Sequence, residues 1–199
     1  HIIKKEFDKA THRIMETDDD HKKPIQEHLE AHHNDHVGGL RLIPKKILLM
    51  YVHALQSKLF NDMLCAHLKQ LEIELVDFPY HFSTIAVPKH HRDLSDLEGR
   101  LPLIGYDSDL TREQEDALKN IGISQRDFIN RQLPELTLEG GWRAMTIRAR
   151  NITMKPLAPR QDQAIHDLSL VFSLPKGAYA TIAIKTILAE ILATEQSDL

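Results

Sequence analysis

Apolar and polar positions along this 199-residue chain recur with two different periods, and the change between them divides it. Through the first seventy residues the period is helical. The segment 4–17 predicts a helix, an acidic turn follows at Asp18, Asp19 and Asp20, and 25–36 predicts a second helix that stops at Gly38-Gly39. Pro44 suits a helix start, and Leu48, Val52, Leu55, Leu59, Met63 and Cys65 or Ala66 draw an apolar stripe along a long helix over 45–70.

The middle is less regular. Strands are predicted at 72–78 and 82–87, then a charged loop over 89–100 and an extended apolar segment over 101–110. Thr111 with Gln114 forms a capping box for a helix over 112–120, and Ser124 caps a short helix over 125–132 that Pro134 ends. From Trp142 the period becomes two. The runs 142–154 and 164–174 predict two strands of one sheet, joined by a loop from Pro156 to Gln163. In the second run Leu168, Leu170, Phe172 and Leu174 face one way. A final helix within 177–194 carries Ile182, Ile184, Ile187, Leu188 and Ile191 toward that sheet. The fold class expected is α/β, of α+β type, with a mostly helical domain over 1–141 and a strand-rich part over 142–199.

Composition narrows the functions available. The hydrophobic fraction of 42% is that of a protein with an ordinary core, and no run of eighteen apolar residues exists, so no membrane span is expected. Cys65 is the one cysteine, which rules out an intrachain disulfide and fits a buried thiol in a reducing, cytoplasmic setting. The chain opens on His1 without the features of a signal peptide, and an upstream stretch is expected. The net charge of -4 conceals an uneven distribution. From Gly140 to Gln161 lie Arg143, Arg148, Arg150, Lys155 and Arg160 with no acidic residue, a strip able to release counterions from a polyanion or simply to stay solvated.

The stretch 172-FSLPKGAYATI-182 carries the strongest local signal. Pro175 ends a strand, Gly177 frees the backbone for a tight turn, and Tyr179 reaches the start of a helix, where α/β proteins place ligand-contacting groups. A tyrosine there either closes the core or offers a flat face to a ligand. His28, His32 and His36 at four-residue spacing, with His33 beside them, raise a metal site on one helix face against an exposed polar helix, and the polar helix is preferred. His90-His91 is read in the same way, and Asp18 to Asp20 as a solvated turn.

The segment FSLPKGAYAT resembles the C-terminal Leu-Pro-x-Gly-Ser-Tyr/Phe-Ala-Thr element of the TruD family of tRNA pseudouridine synthases, with Ala178 in place of the serine. The stretch 53-HALQSKLFN-61 is similar to that family's Ala-x-Gln-Ser-x-x-Phe-Asn helix. Likewise 101-LPLIGYDSDL-110 resembles its Pro-Leu-x-Gly-Tyr segment, and 126-RDFINRQLPELTLEGGWRAM-145 its Asp-Phe, Pro-Glu-Leu and Gly-x-x-Arg pattern. The four matches keep the family's order across Lys45 to Ala189.

The resemblance implies an isomerase that cleaves a uridine N-glycosidic bond, turns the base and rejoins it through carbon, without organic cofactor or required metal. It implies tRNA as partner, Tyr179 against the flipped base, and Phe60, Asn61 and Gln56 near the pocket. Arg143, Arg148, Arg150 and Lys155 are the candidates for RNA contact. The resemblance also makes residues 1–141 an insertion domain and 142–199 strands and a helix of a mixed catalytic sheet. The family's Gly-x-Lys-Asp-Arg motif with its nucleophilic aspartate, and its Asn-Tyr-Phe-Gly segment, are not in this sequence. The chain is accordingly expected to be the C-terminal half of such an enzyme, monomeric, and inactive alone. A non-catalytic RNA-binding module, and a metal-binding or protein-interaction domain centred on the histidines, are the rival readings.

Overall fold

The computed structural model describes residues 1–17, 20–71, 73–80, 83–89, 97–157 and 168–197. Asp18, Asp19, His90, His91 and Arg160 lie outside the described residues, as do parts of the predicted loops. The chain is a mixed α/β protein that divides into two compact units, His1–Met63 with Leu101–Arg143, and Leu64–Arg100 with Ala144–Leu199.

The first unit holds the larger core. Helices α1 (Phe7–Met15), α2 (Lys22–Ala31) and α3 (His36–Arg41) pack on one another, and α4 (Lys45–Gln70) follows. In α1, Phe7, Ala10, Thr11 and Ile14 turn inward at helical spacing. Ile25 and Leu40 from the next two helices join them fully buried. Along α4, Leu48, Val52 and Leu59 are buried and Leu55 and Met63 pack against the same core, so the predicted stripe is realised from Leu48 to Met63, whereas Cys65 and Ala66 are outside this core. The carbonyl of Pro44 accepts the first helical bonds, from Ile47 at 2.8 Å and Leu48 at 3.3 Å.

Two sequence expectations fail here for steric reasons. Gly38 and Gly39 do not stop a helix but lie inside α3. A Cβ on Gly38 would sit 2.0 Å from Asp35 Oδ2, while Asp35 Oδ1 caps α3 by accepting the Gly38 N–H at 2.9 Å. The glycine makes room for its own cap. The predicted helix over 125–132 shrinks to a 3-10 turn, Gln125–Phe128, because Ile129 takes an extended conformation, and Pro134 opens a second 3-10 turn, Pro134–Leu136. Phe128, Leu133 and Leu136 are fully buried and pin this loop to the core.

Helix α5 (Arg112–Asn120) has both halves of its capping box, with Thr111 Oγ1 accepting the Gln114 N–H at 3.4 Å and Gln114 Oε1 accepting the Thr111 N–H at 3.1 Å. Strands β3 (Arg100–Leu103) and β4 (Gly141–Ala144) pair. The predicted single strand over 142–154 is therefore two. β4 pairs with β3, the chain leaves the ladder over 145–149, and β5 (Arg150–Pro156) begins a separate hairpin.

In the second unit β1 (Leu75–Tyr80) and β2 (Ser83–Pro88) form an antiparallel hairpin. β5 pairs antiparallel with β6 (Leu168–Ser173). The last helix, α6 (Ala180–Ser197), packs on β2 of the first hairpin, with Ile85, Val87 and Ala189 buried and Val76, Phe78 and Ile182 around them. This corrects the expectation that α6 covers the later strands. Lys185 adds to this packing, donating to the Pro79 carbonyl at 3.4 Å with its ammonium 4.8 Å from the Phe78 ring centre. Cys65 is half-buried, and its Sγ accepts the Ala86 N–H at 3.4 Å. Among the described residues no helix is long and apolar enough to cross a membrane.

Candidate substrate and RNA-contacting site

Three sequence motifs meet inside the first unit, and Gln56 joins them. Its buried amide donates to the carbonyls of Ile104 at 3.1 Å and Glu139 at 3.0 Å, while its Oε1 lies 3.2 Å from His53 Nδ1. Helix α4, the Leu-Ile-Gly-Tyr segment and the Glu-Gly-Gly-Trp segment are thereby held by one side chain. Gly105 permits their closeness, since a Cβ there would lie 2.1 Å from the Gly140 nitrogen. The Gly140 N–H in turn donates to Asp107 at 2.6 Å, and the Gly105 N–H to Ser108 Oγ at 2.8 Å. One turn after Gln56, buried Phe60 lies under the Arg143 guanidinium, 5.1 Å from ring centre to carbon. Asn61 is half-buried beside it in sequence. Trp142 is 67% exposed and Tyr106 38%, so this junction also carries two accessible rings.

Tyr179 belongs to the second unit. β6 ends at Ser173, the Ala178 N–H closes a turn onto the Pro175 carbonyl at 3.1 Å, and Gly177 takes φ +87°, the left-handed conformation that the turn requires. The Tyr179 carbonyl then accepts from Ile182 at 3.1 Å and Ala183 at 3.3 Å, which places Tyr179 at the cap of α6. Its side chain is not spent on the core, being 50% exposed. The strand and turn stand where the sequence predicts them, over Leu168–Ser173, but the helix begins at Ala180, three residues later than predicted, so Tyr179 is its cap and not part of its first turn.

The basic strip is sorted by backbone geometry. Arg143 sits on β4 over Phe60, and Arg148 is exposed in the connection between β4 and β5. Arg150 and Lys155 are five positions apart, and an unbroken strand would put them on opposite faces. A bulge intervenes: Arg150 pairs with Ser173 but Thr153 with Val171, and Asn151 between them has φ +54°. The shift brings Arg150, Thr153 and Lys155 to one face, opposite the face shared by Met154, Leu168, Leu170 and Phe172. The hairpin thus has one side that carries Arg150 and Lys155 beside exposed Val171, and one apolar side.

The histidines separate. α2 ends at Ala31, and His32 follows it with φ -131° and ψ 78°. His28 and His32 rings stack at 4.8 Å, His28 Nε2 meets Asp35 at 2.9 Å, and His36 turns to Thr11 at 2.8 Å. The three imidazoles do not share a helix face. Among the described residues no group of three or more His, Cys, Asp or Glu side chains is placed to hold a metal ion. No signal in the sequence shows that Arg126 and Arg131 line one cleft with Lys5, which only the loop fold reveals.

Fold and site are those of a mixed α/β protein with an exposed aromatic at a strand-to-helix corner and a cationic hairpin face. The family model for tRNA pseudouridine synthase D (TruD) matches residues 2–187, and the chain belongs to the TruD family of tRNA pseudouridine synthases. It is 28% identical over 187 residues to a Methanopyrus kandleri protein described as "Probable tRNA pseudouridine synthase D", covering 88% of this chain and 40% of that protein. It is 27% identical over 171 residues to the tRNA pseudouridine synthase D of Syntrophotalea carbinolica, covering 79% and 41%. The crystal structure of a Methanosarcina mazei protein described as "Putative tRNA pseudouridine synthase D (TruD)" superposes with a TM-score of 0.57 at 26% identity, over 83% of this chain and 44% of that one. The chain spans less than half the length of these relatives.

Proposed function

We infer that this chain is the tRNA-contacting and base-contacting part of a pseudouridine synthase, in which Tyr179 packs against a flipped uracil. The observation that carries the reading is the half-exposed Tyr179 ring at the cap of α6, set there by the Pro175 to Ala178 turn inside the family's C-terminal element. A uridine cannot be isomerised within a base stack, so the enzyme must extrude it and hold it by a flat surface. Arg148, and Arg150 with Lys155 on the cationic hairpin face, are the phosphate contacts in this reading, and Arg143 is a further one. Gln56 and Phe60 position the junction around Arg143, with Asn61 adjacent. The nucleophilic aspartate is supplied from outside this chain.

By the same reading residues 1–141 are the insertion domain, and 142–199 contribute strands and a helix to a mixed catalytic sheet. The apolar face of the β5–β6 hairpin supports this, because Met154 and Leu168 are each 48% exposed there and await a cover. The setting proposed is cytoplasmic, with no organic cofactor.

The test is tRNA binding by this chain, and tritium release from tRNA labelled at uridine C5 once the aspartate-bearing part is supplied, for the wild type, Tyr179→Ala and Tyr179→Phe. Loss of a stacking contact of about 1–3 kcal/mol predicts binding or turnover weakened about 5- to 150-fold by alanine and much less by phenylalanine. Equal behaviour of all three would remove Tyr179 from the site. A second reading, a non-catalytic RNA-binding module, rests on the missing Gly-x-Lys-Asp-Arg motif and predicts Tyr179-dependent binding with no release even when the aspartate-bearing part is supplied.

A further inference from the structure

A second cationic feature lies in the first unit, in a cleft of about 580 Å³ lined by Lys5, Arg126, Asp127, Ile129, Arg131 and Gln132. The loop that builds it turns its apolar and amide side chains inward. Phe128 and Leu133 are fully buried, and buried Asn130 accepts the Leu133 N–H on Oδ1 at 2.9 Å. Thr137 Oγ1 accepts the Asn130 N–H at 3.0 Å, and the Leu138 N–H reaches the Phe128 carbonyl at 3.0 Å. With those positions committed to the core, Arg126, Ile129 and Arg131 are left exposed on the outer side of a braced loop. Arg41 adds a guanidinium at the rim, donating to the Gln132 carbonyl at 3.0 Å.

The charges do not cancel. Asp127 is the one carboxylate lining the cleft, and it is already engaged: Oδ2 accepts from Ser124 N at 2.7 Å and Ser124 Oγ at 2.9 Å, and Oδ1 lies 3.5 Å from Lys5 Nζ. Lys5 is held in place by the carbonyls of Ile3, at 2.8 Å, and Asp127. Its backbone, at φ +58°, is in the left-handed region that a lysine rarely occupies. Among the described residues neither Arg126 nor Arg131 makes a salt bridge. Two guanidinia on a rigid support without acidic partners suit the bidentate geometry of a phosphodiester.

We propose that this cleft binds backbone phosphate of the tRNA through Arg126 and Arg131, a contact surface separate in sequence from the Arg143 to Lys155 strip. The proposal rests on the tRNA reading given above. Arg41 and Lys5 supply field and Arg126 and Arg131 the direct bonds.

The experiment measures tRNA affinity against salt concentration for the intact chain, for Arg126→Gln/Arg131→Gln, for Arg126→Lys/Arg131→Lys and for Arg148→Gln/Arg150→Gln. Each lost phosphate contact reduces the slope of log affinity on log salt by about one. The first glutamine pair is expected to lower that slope by about two and to weaken all tRNAs alike, and the lysine pair to keep most of the slope. A slope unchanged in Arg126→Gln/Arg131→Gln, but reduced in Arg148→Gln/Arg150→Gln, would overturn this cleft while leaving the tRNA reading intact. No tRNA binding by the unsubstituted chain would sink both. Inorganic phosphate that binds the cleft without any effect of the glutamine pair on tRNA would mark an anion site unrelated to RNA and overturn the proposal. All four substituted arginines are exposed, so the variants are expected to fold, and their thermal unfolding checks this.

Discussion

Gln56 shows how a residue in a functional motif can act entirely through packing. Its amide satisfies two backbone carbonyls that come from segments 48 and 83 residues away in sequence. Leucine has nearly the same volume but no donor, so Gln56→Leu would leave both carbonyls without that partner. An unsatisfied buried polar group costs about 1–3 kcal/mol, and a loss in that range is expected in denaturant unfolding. Arg143 should also lose its place over Phe60 if the junction loosens, which near-ultraviolet circular dichroism of Trp142 would report. A Gln56→Leu variant as stable as the parent would show that the amide is not needed. The motif spacing around Gln56 was legible in sequence, but its partners were not, because nothing local to α4 specifies Ile104 or Glu139.

Among the elements, α3 has an anchorage that responds to pH. Asp35 is held below the usual carboxylate range, first by the Gly38 N–H and then by His28. A depressed folded pKa means stability that is present above the unfolded value, near 3.9, and is lost as pH falls through the folded pKa. Asp35→Asn should therefore show a smaller drop in melting temperature than the parent between neutral pH and pH 3. Equal pH profiles for the two would rule out Asp35 as the titrating group. The neighbouring pair of Lys5 and Asp127 behaves less symmetrically. Burial lowers Lys5 more than Asp127 raises it, whereas Asp127 is lowered despite burial because the Ser124 bonds and then Lys5 outweigh that penalty. The Ser124 bonds, not the ion pair, are the better account of why Asp127 stays ionised.

For the molecule as a whole, the apolar hairpin face has the clearest consequence. Met154 stands opposite Leu170, and Leu168 opposite Pro156, on a side of β5–β6 where Met154 and Leu168 are each 48% exposed. Large exposed apolar patches mark interaction surfaces, and in an isolated chain they bind dyes and other copies. The chain is expected to bind anilinonaphthalene sulfonate in its folded state, and Met154→Thr/Leu168→Thr to reduce that signal and light scattering with little change in melting temperature. An unchanged signal would mean that the face is already covered. The cationic face of the same hairpin depends on the Asn151 bulge, which no periodicity argument located, because a one-residue insertion leaves composition unchanged and reverses the sides.

The sequence by itself determined the helical stripe of α4, the capping box of α5, the turn from Pro175 to Ala178 and the family to which the chain belongs. Each rests on contacts within a few residues, or on motifs whose order survives divergence. Tertiary structure alone decided that Gly38 and Gly39 continue α3, that α6 packs on β1–β2, that Arg150 joins Lys155 on one face, and that Arg126 and Arg131 line one cleft with Lys5. Those outcomes depend on which distant backbone fills a given space, and a local pattern carries no record of it.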